Sequence, residues 1–285
     1  MMTEQAAHAL VHESMHKAVR GRGVVALLDA LGIKDRMSDP ARTAEELDVV
    51  FQRVSGEFMK LFVALRQEFS VDFMAAPALR FYCLGDTLLI SFFEESPSQM
   101  PLQRRDGILA ILMGIVVQLA VSIGLESGFL FRGAISSGEY VECGGSGTVG
   151  GIVTMGSALS EASKWFEIAD WAGVCLTPTA AAGYEVVKQG LDARHGMEAR
   201  RSWDIFQIYD LPVKGQQHLP GVWVLKWHKA LKDKRETIHG LMLGGRPVDL
   251  SVARKMQNTL TFFDRCFQNP IGASVSQKGS KTAPP

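Results

Sequence analysis

Cysteine is scarce in this sequence and nowhere paired at short spacing. Cys83, Cys143, Cys175 and Cys266 stand far apart, with no Cys-x-x-Cys and no Cys/His grouping. That excludes a zinc knuckle and a disulfide framework, and a reducing cytoplasm is the expected setting. Net charge is equally absent, since 30 basic residues balance 30 acidic ones. Without an excess of Lys and Arg to displace counterions from a phosphate backbone, nucleic acid is not an expected partner. The first residues, MMTEQAAHALVHESMHKAVRGRG, lack the apolar stretch of a secretory leader, so no export is expected. They carry His8, His12 and His16 on one helical face, which reads as a solvated face before it reads as a metal site.

What is present is a globular composition. The 285 residues are 47% hydrophobic and 21% charged, enough for one large domain, or a domain with an appendage, around a real core. The longest apolar run, Gly107 to Leu125, approaches the ~20 residues of a membrane span. Gln118 and Ser122 interrupt it, no aromatic belt flanks it and a strand-like segment follows directly. The expectation is a helix buried against a sheet, with no membrane involved.

Around that helix the patterning alternates between strand and helix. Val24–Leu28 is a short apolar run typical of a central strand, and it ends in Asp29-Ala30-Leu31-Gly32. Apolar residues at Leu47, Val50, Phe51, Val54, Phe58, Leu61, Phe62 and Leu65 predict a long helix over Thr43–Phe69. Leu79–Cys83 and Leu88–Phe92 read as strands about a tight Leu84-Gly85-Asp86-Thr87 turn. Phe129–Ser137 is a strand, followed by a glycine-rich stretch from Gly138 to Gly156 and a helix starting near Ser157. The order is βαββαβ. Beyond it come a strand at Gly173–Leu176, a helix at Ala180–Lys188, and strands at Trp203–Tyr209 and Val222–Trp227 about a long PVKGQQHLPG turn. A further helix is predicted over Val252–Phe267 from Val252, Met256, Leu260, Phe263 and Phe267, and the polar end, Ala273–Pro285, reads as a disordered tail.

Two aspartates stand at the ends of strands, Asp29 three residues before Gly32 and Asp86 directly after Gly85. Paired hard oxygen ligands of this kind suit a divalent cation that also binds phosphates. On spacing alone Asp86 is equally a turn residue and Asp29 a helix cap. Arg132 alternates with Ala134 and Ser136 on one strand face, where it reaches either a phosphate or a structural carboxylate.

The βαββαβ order resembles the catalytic domain of class III nucleotide cyclases. Asp29-Ala30-Leu31-Gly32, the Gly85-Asp86 hairpin and Gly133 through Ser137-Gly138-Glu139 carry the likeness, over roughly Val24 to Trp227. It implies a ferredoxin-like α/β (α+β) core with a mixed, largely antiparallel sheet. Asp29 and Asp86 would hold two Mg²⁺ or Mn²⁺ ions per active site, with the Ala30 carbonyl as a further ligand. Tyr82 stands where purine cyclases carry a base-selecting lysine, and Val153 where adenine selection expects Asp, so ATP and GTP are disfavoured. A Tyr ring would fill the space of a larger base, or is simply a strand aromatic. Tyr82, with Phe131-Arg132-Gly133-Ala134-Ile135-Ser136, is similar to the pyrimidine cyclases of Pycsar antiphage systems.

That resemblance implies conversion of UTP, or CTP, to a 3′,5′-cyclic monophosphate and pyrophosphate. The product would be a second messenger for a separate effector, made by a head-to-tail homodimer whose sites lie between subunits. Ser160 and Lys164 occupy the positions of the family's Asn-x-x-x-Arg pair, so Lys164 would bring charge to the phosphoryl group without arginine's planar fork, or is a surface lysine. The phosphate-binding lysine of the late hairpin is Gln216 here, which leaves Lys214 nearby. The implied organisation is an N-terminal helix or arm over 1–22, a cyclase domain over 23–228, a helical appendage over 229–272 and a tail over 273–285. The alternatives are an inactive, cyclase-like nucleotide sensor and, last, an adenylyl or guanylyl cyclase.

Overall fold

The computed structural model describes residues 19–31, 38–68, 78–93, 100–143, 153–194, 204–215, 217–228, 231–243 and 250–268. The first strand, β1 (Val19–Leu31), is longer than its apolar run, because only the middle of the strand is covered on both faces. Its first residues pair with β4 (Leu130–Cys143), Val19 opposite Glu142 and Arg22 opposite Glu139, so residues 19–22 are sheet where an arm or helix is expected. Residues 1–18, with the three histidines, lie outside the described residues, as does the tail.

The long helix α1 (Pro40–Glu68) starts where the chemistry of helix ends dictates. Pro40 occupies the first position, and the Asp39 carboxylate accepts from the Arg42 amide at 3.1 Å. Its Leu47, Val50, Val54, Phe58 and Phe62 are buried, and Phe58 meets Phe92 at 5.3 Å. β2 (Ala78–Leu84) and β3 (Thr87–Phe93) form the expected hairpin, closed at Leu84 opposite Thr87. Gly85 turns it with φ of 66°, a left-handed conformation that side chains resist.

The apolar run forms α2 (Leu102–Glu126), a helix long and apolar enough to cross a membrane that is instead mostly buried within the fold. It touches α4 (Pro178–Arg194) through glycine: a Cβ on Gly107 would lie 2.0 Å from the Gly183 carbonyl oxygen. Between these helices the chain makes β4, the short β5 (Val153–Met155), α3 (Ser157–Ile168) and β6 (Val174–Leu176). β7 (Phe206–Val213) and β8 (Gln217–Leu225) run further into their connection than expected, so the long turn shrinks to residues around Lys214-Gly215. Pro212 is tolerated because β7 is an edge strand, and Pro220 because β8 pairs with β6 only further on, at Val224.

The eight strands form one mixed sheet, ordered β2-β3-β1-β4-β6-β8-β7 with β5 on β4, and the described helices number six. Among the described residues only β4 and β6 run parallel. This is the expected α/β architecture. Even-numbered β1 residues, Val24, Ala26, Leu28 and Ala30, enter the main core. Odd-numbered Val25 and Leu27 face a smaller cluster with Leu89, Tyr140 and the α3 residues Ala158 and Ala162. The C-terminal helices α5 (Arg235–Leu243) and α6 (Leu250–Gln268), within the expected helical appendage, contribute residues to the main core. Phe262 is fully buried and meets Trp171 edge-on at 4.2 Å, and Ile238 is buried too.

Candidate active site at the end of the sheet

Antiparallel pairing brings the C-terminal end of β1 beside the β2–β3 turn and the start of β4. Asp29 stands opposite Thr87 on one side and Arg132 on the other. The Ala30 amide donates to the Asp86 backbone carbonyl at 2.9 Å, which ties the hairpin tip to the end of β1. The two aspartates singled out in the sequence, far apart along the chain, are therefore neighbours at one sheet end.

Asp29 is 9% exposed and points to the same sheet face as Val25 and Leu27. Arg132 donates from Nε to its Oδ2 at 2.8 Å. The guanidinium also donates to the Ala169 carbonyl at 3.4 Å and lies 5.1 Å from the centre of the Phe166 ring. Arg132 thus fixes one carboxylate oxygen, and among the described residues no hydrogen bond engages the other oxygen or the Asp86 carboxyl.

The same sheet end is closed by the corner before β6. Asp170 is buried and accepts from Arg254 Nε at 2.5 Å, while the Asn258 side chain donates to the Asp170 carbonyl at 2.9 Å. Thr259 Oγ1 accepts from the Ala172 amide at 2.8 Å. All three partners lie on α6, so the C-terminal helix is pinned onto the corner that also receives Arg132. Lys214 sits next to it, its amide donating to the Ile168 carbonyl at 2.9 Å, and its side chain is exposed. Lys255, which the sequence reading passed over, is half-buried on α6 within electrostatic reach of Arg132, Asp170, Asp29 and Lys214. Burial, then Arg132, holds its ammonium below the ordinary lysine range.

Tyr82 lies on the face that carries Asp29, but across the sheet and further from its end, opposite Leu89, which in turn faces Leu27. It belongs to a polar group that the sequence did not reveal. The Arg80 guanidinium is ion-paired with Glu142, and the Tyr140 hydroxyl donates to Glu142 at 3.3 Å. Tyr82 shares hydrogen bonds with both Glu142 and Arg80. Burial, then Glu142, pushes the Tyr82 phenol up, and burial pushes Tyr140 up to about 12. These groups present donors and acceptors side by side around an aromatic ring.

Ser160 and Lys164 are exposed on α3, and among the described residues no hydrogen bond or ion pair joins either side chain to the aspartates. The side chain of Val153 and all of Gln216 lie outside the described residues. One copy of the chain therefore assembles Asp29, Ala30, Asp86 and Arg132, with Tyr82 further from that sheet end, and among the described residues Ser160 and Lys164 make no hydrogen bond or ion pair with these groups. Among the described residues no three His, Cys, Asp or Glu side chains cluster as a metal site. The available donors are two carboxylates and a backbone carbonyl. That set suits Mg²⁺ or Mn²⁺ held jointly with ligand phosphates, and does not suit a dedicated protein cage.

No protein-family model and no curated protein matches the chain. Among solved structures it is similar to the catalytic core of a rhodopsin-guanylyl cyclase with converted specificity in complex with ATPαS. The identity there is 15% and the TM-score 0.38, over 74% of this chain and 99% of that one. It is also similar to the guanylyl cyclase Cya2, at 12% identity and TM-score 0.39 over 73% and 93% of the two chains. The guanylate cyclase domain of RhGC from Catenaria anguillulae in complex with GTP shares 15% identity, TM-score 0.37, over 73% and 97%.

Proposed function

We propose that this protein is a nucleotide cyclase that converts UTP or CTP to the 3′,5′-cyclic monophosphate and pyrophosphate. The observation that carries the reading is the Asp29–Asp86 pair at one sheet end, locked by the Ala30-to-Asp86 backbone bond within a βαββαβ order. In the reaction the ribose 3′-oxygen bonds to the α-phosphorus, the α–β phosphoanhydride bond breaks, pyrophosphate leaves and the hydroxyl proton passes to solvent. Divalent cations held by Asp29, Asp86 and the Ala30 carbonyl would supply Lewis-acid activation of the hydroxyl and neutralise phosphate charge. Arg132 positions Asp29 by fixing one of its oxygens. The chain's task is then alignment and charge placement, which dominate phosphoryl-transfer catalysis.

The position of Tyr82 across the sheet from the aspartates, bonded to Arg80 and Glu142, supports a site completed by a second copy, with the base on one protomer and the cations on its partner. Tyr82, Arg80 and Glu142 offer a hydroxyl, a donor fork and a carboxylate, which match the mixed donor and acceptor edge of a pyrimidine. A cyclic pyrimidine nucleotide made this way would serve as a second messenger to a separate effector in antiphage defence. A second reading, an inactive nucleotide sensor, is favoured by one observation: the Asp29 carboxylate already has a cationic partner in Arg132.

The test is incubation of the purified protein with each of the four ribonucleoside triphosphates and Mn²⁺, with products resolved by chromatography and mass. A cyclic nucleotide from UTP or CTP alone is expected. A purine product refutes the Tyr82 assignment, and nucleotide binding without any product favours the sensor.

A further inference from the structure

The charges around the Ala169–Asp170 corner do not cancel. Asp29 is matched by Arg132 at 2.8 Å, and Asp170 by Arg254 at 2.5 Å. Two ammonium groups remain, Lys214 and Lys255, and among the described residues neither has a carboxylate within salt-bridge distance. Lys214 is exposed and solvated, which costs little. Lys255 is half-buried within electrostatic reach of Arg132 and Lys214, which repel its charge, and of Asp170 and Asp29, which attract it but are each already paired with an arginine. A partly desolvated cation facing like charge is a destabilising arrangement unless an anion completes it.

Three contacts hold the helix in that position. Arg254 and Asn258, one turn apart, bind Asp170, and Thr259, one turn beyond Lys255, binds the Ala172 amide. Lys255 lies among these groups and so is aimed at the same corner, where the open sides of Asp29 and Asp86 also lie. We infer that Lys255, delivered by the C-terminal helix α6, is a polyphosphate-binding residue that, with Lys214, takes the β- and γ-phosphates of the nucleotide beside Asp29. The inference rests on the cyclase reading for the nucleotide, but the anion site is defined by the charges alone. It also gives α6 a function, since α6 closes the substrate site as well as the core.

The test uses the full-length protein and inorganic tripolyphosphate in EDTA, with binding followed by calorimetry. A direct hydrogen bond to a charged phosphate is worth roughly 1.5–3 kcal/mol, so Lys255→Met is expected to weaken binding about ten- to a hundredfold. Lys255→Arg retains most of the affinity, and Lys60→Ala, which removes an exposed lysine paired with Glu57 on α1, leaves it unchanged. Because a half-buried charge with no ion-pair partner among the described residues is removed, Lys255→Met is also expected to melt higher than the parent protein in the absence of ligand. If Lys255→Met fails to fold, Lys255→Gln takes its place in the binding measurement. Tripolyphosphate binding equal to the parent in these variants, or no binding by the parent, overturns the assignment. Lys255-dependent binding in a protein that cyclises no nucleotide retains this site and rejects the cyclase reading. Turnover of UTP or CTP with Lys255-independent binding does the reverse.

Discussion

Asp29 has two roles that one set of variants can separate. It is proposed to hold cations, and it neutralises an arginine that is itself nearly buried, with side-chain exposures of 14% for Arg132 and 12% for Asp29. Asp29→Asn keeps the shape and removes the charge, which leaves the Arg132 guanidinium without its anionic partner, among neutral groups such as the amide oxygen, the Ala169 carbonyl and the Phe166 ring. Breaking a fully buried pair costs roughly 3–5 kcal/mol, and the remaining exposure here brings that down to about 2–3 kcal/mol. For a chain of this length, that lowers the melting temperature by roughly 4–12 °C. Adding Arg132→Met removes the stranded charge, so the double variant should recover most of the loss. Turnover should behave differently, staying at least about a thousandfold down in both, because the cation ligand is gone in each. Scanning calorimetry with the nucleotide assay reads both quantities. Melting of Asp29→Asn at the parent temperature would refute the charge argument. Turnover above a tenth of the parent's would refute the role of Asp29 in catalysis.

Further outcomes follow from other parts of the molecule. Tyr82→Phe removes one hydroxyl from the group shared with Arg80 and Glu142, and kcat/KM for the pyrimidine substrate should fall about tenfold or more with little change in melting; an unchanged ratio removes Tyr82 from base recognition. Gly107→Ala sets a Cβ 2.0 Å from a backbone oxygen that cannot rotate away, so α2 and α4 must separate, at a cost of about 1–3 kcal/mol seen in urea unfolding. Burial raises Tyr140 and Cys175 to about 12 from ordinary values of 10.0 and 9.0. The unfolded chain therefore loses these protons first, and stability is full below about pH 9 and is lost as pH rises to about 12, by up to ~1.4 kcal/mol per pH unit for each group. In alkaline denaturation curves, Tyr140→Phe and Cys175→Ala should each flatten that decline.

Strand and helix order was legible because the relevant patterns are local. The apolar run at Val24–Leu28, the Gly85-Asp86 turn and the α1 stripe each declare their element within a few residues. The ends of β1 and β4 were not legible, because there the strands are covered on one side only and glycine and charge replace the apolar signal. Gly21, Arg22, Gly138 and Glu139 pair across the sheet without looking like strand. Pro212 and Pro220 read as a long turn because a sequence does not say which strand forms the edge. The same limit governs the site. Asp29 and Asp86 could be singled out locally from their places at strand ends, but that Arg132 lies opposite Asp29 is a matter of register between strands about a hundred residues apart.

Lys255 is the sharpest case. The apolar positions Val252, Met256, Leu260, Phe263 and Phe267 define a helix and draw attention to the face that packs. The residues between them decide where the helix docks. Arg254 and Asn258 are one turn apart, as are Lys255 and Thr259, so a polar i, i+4 ladder flanks the stripe. A solvated helix face needs no such ladder; one that must meet a buried Asp170 and the Ala172 amide does. The contacts that make α6 part of the core also place a cation within electrostatic reach of Asp29 and Asp170. If so, shortening the chain before Leu250 removes more than stability. It removes Phe262 and so uncovers Trp171, and it takes Lys255 away as well, so any folded remnant should bind tripolyphosphate no better than Lys255→Met.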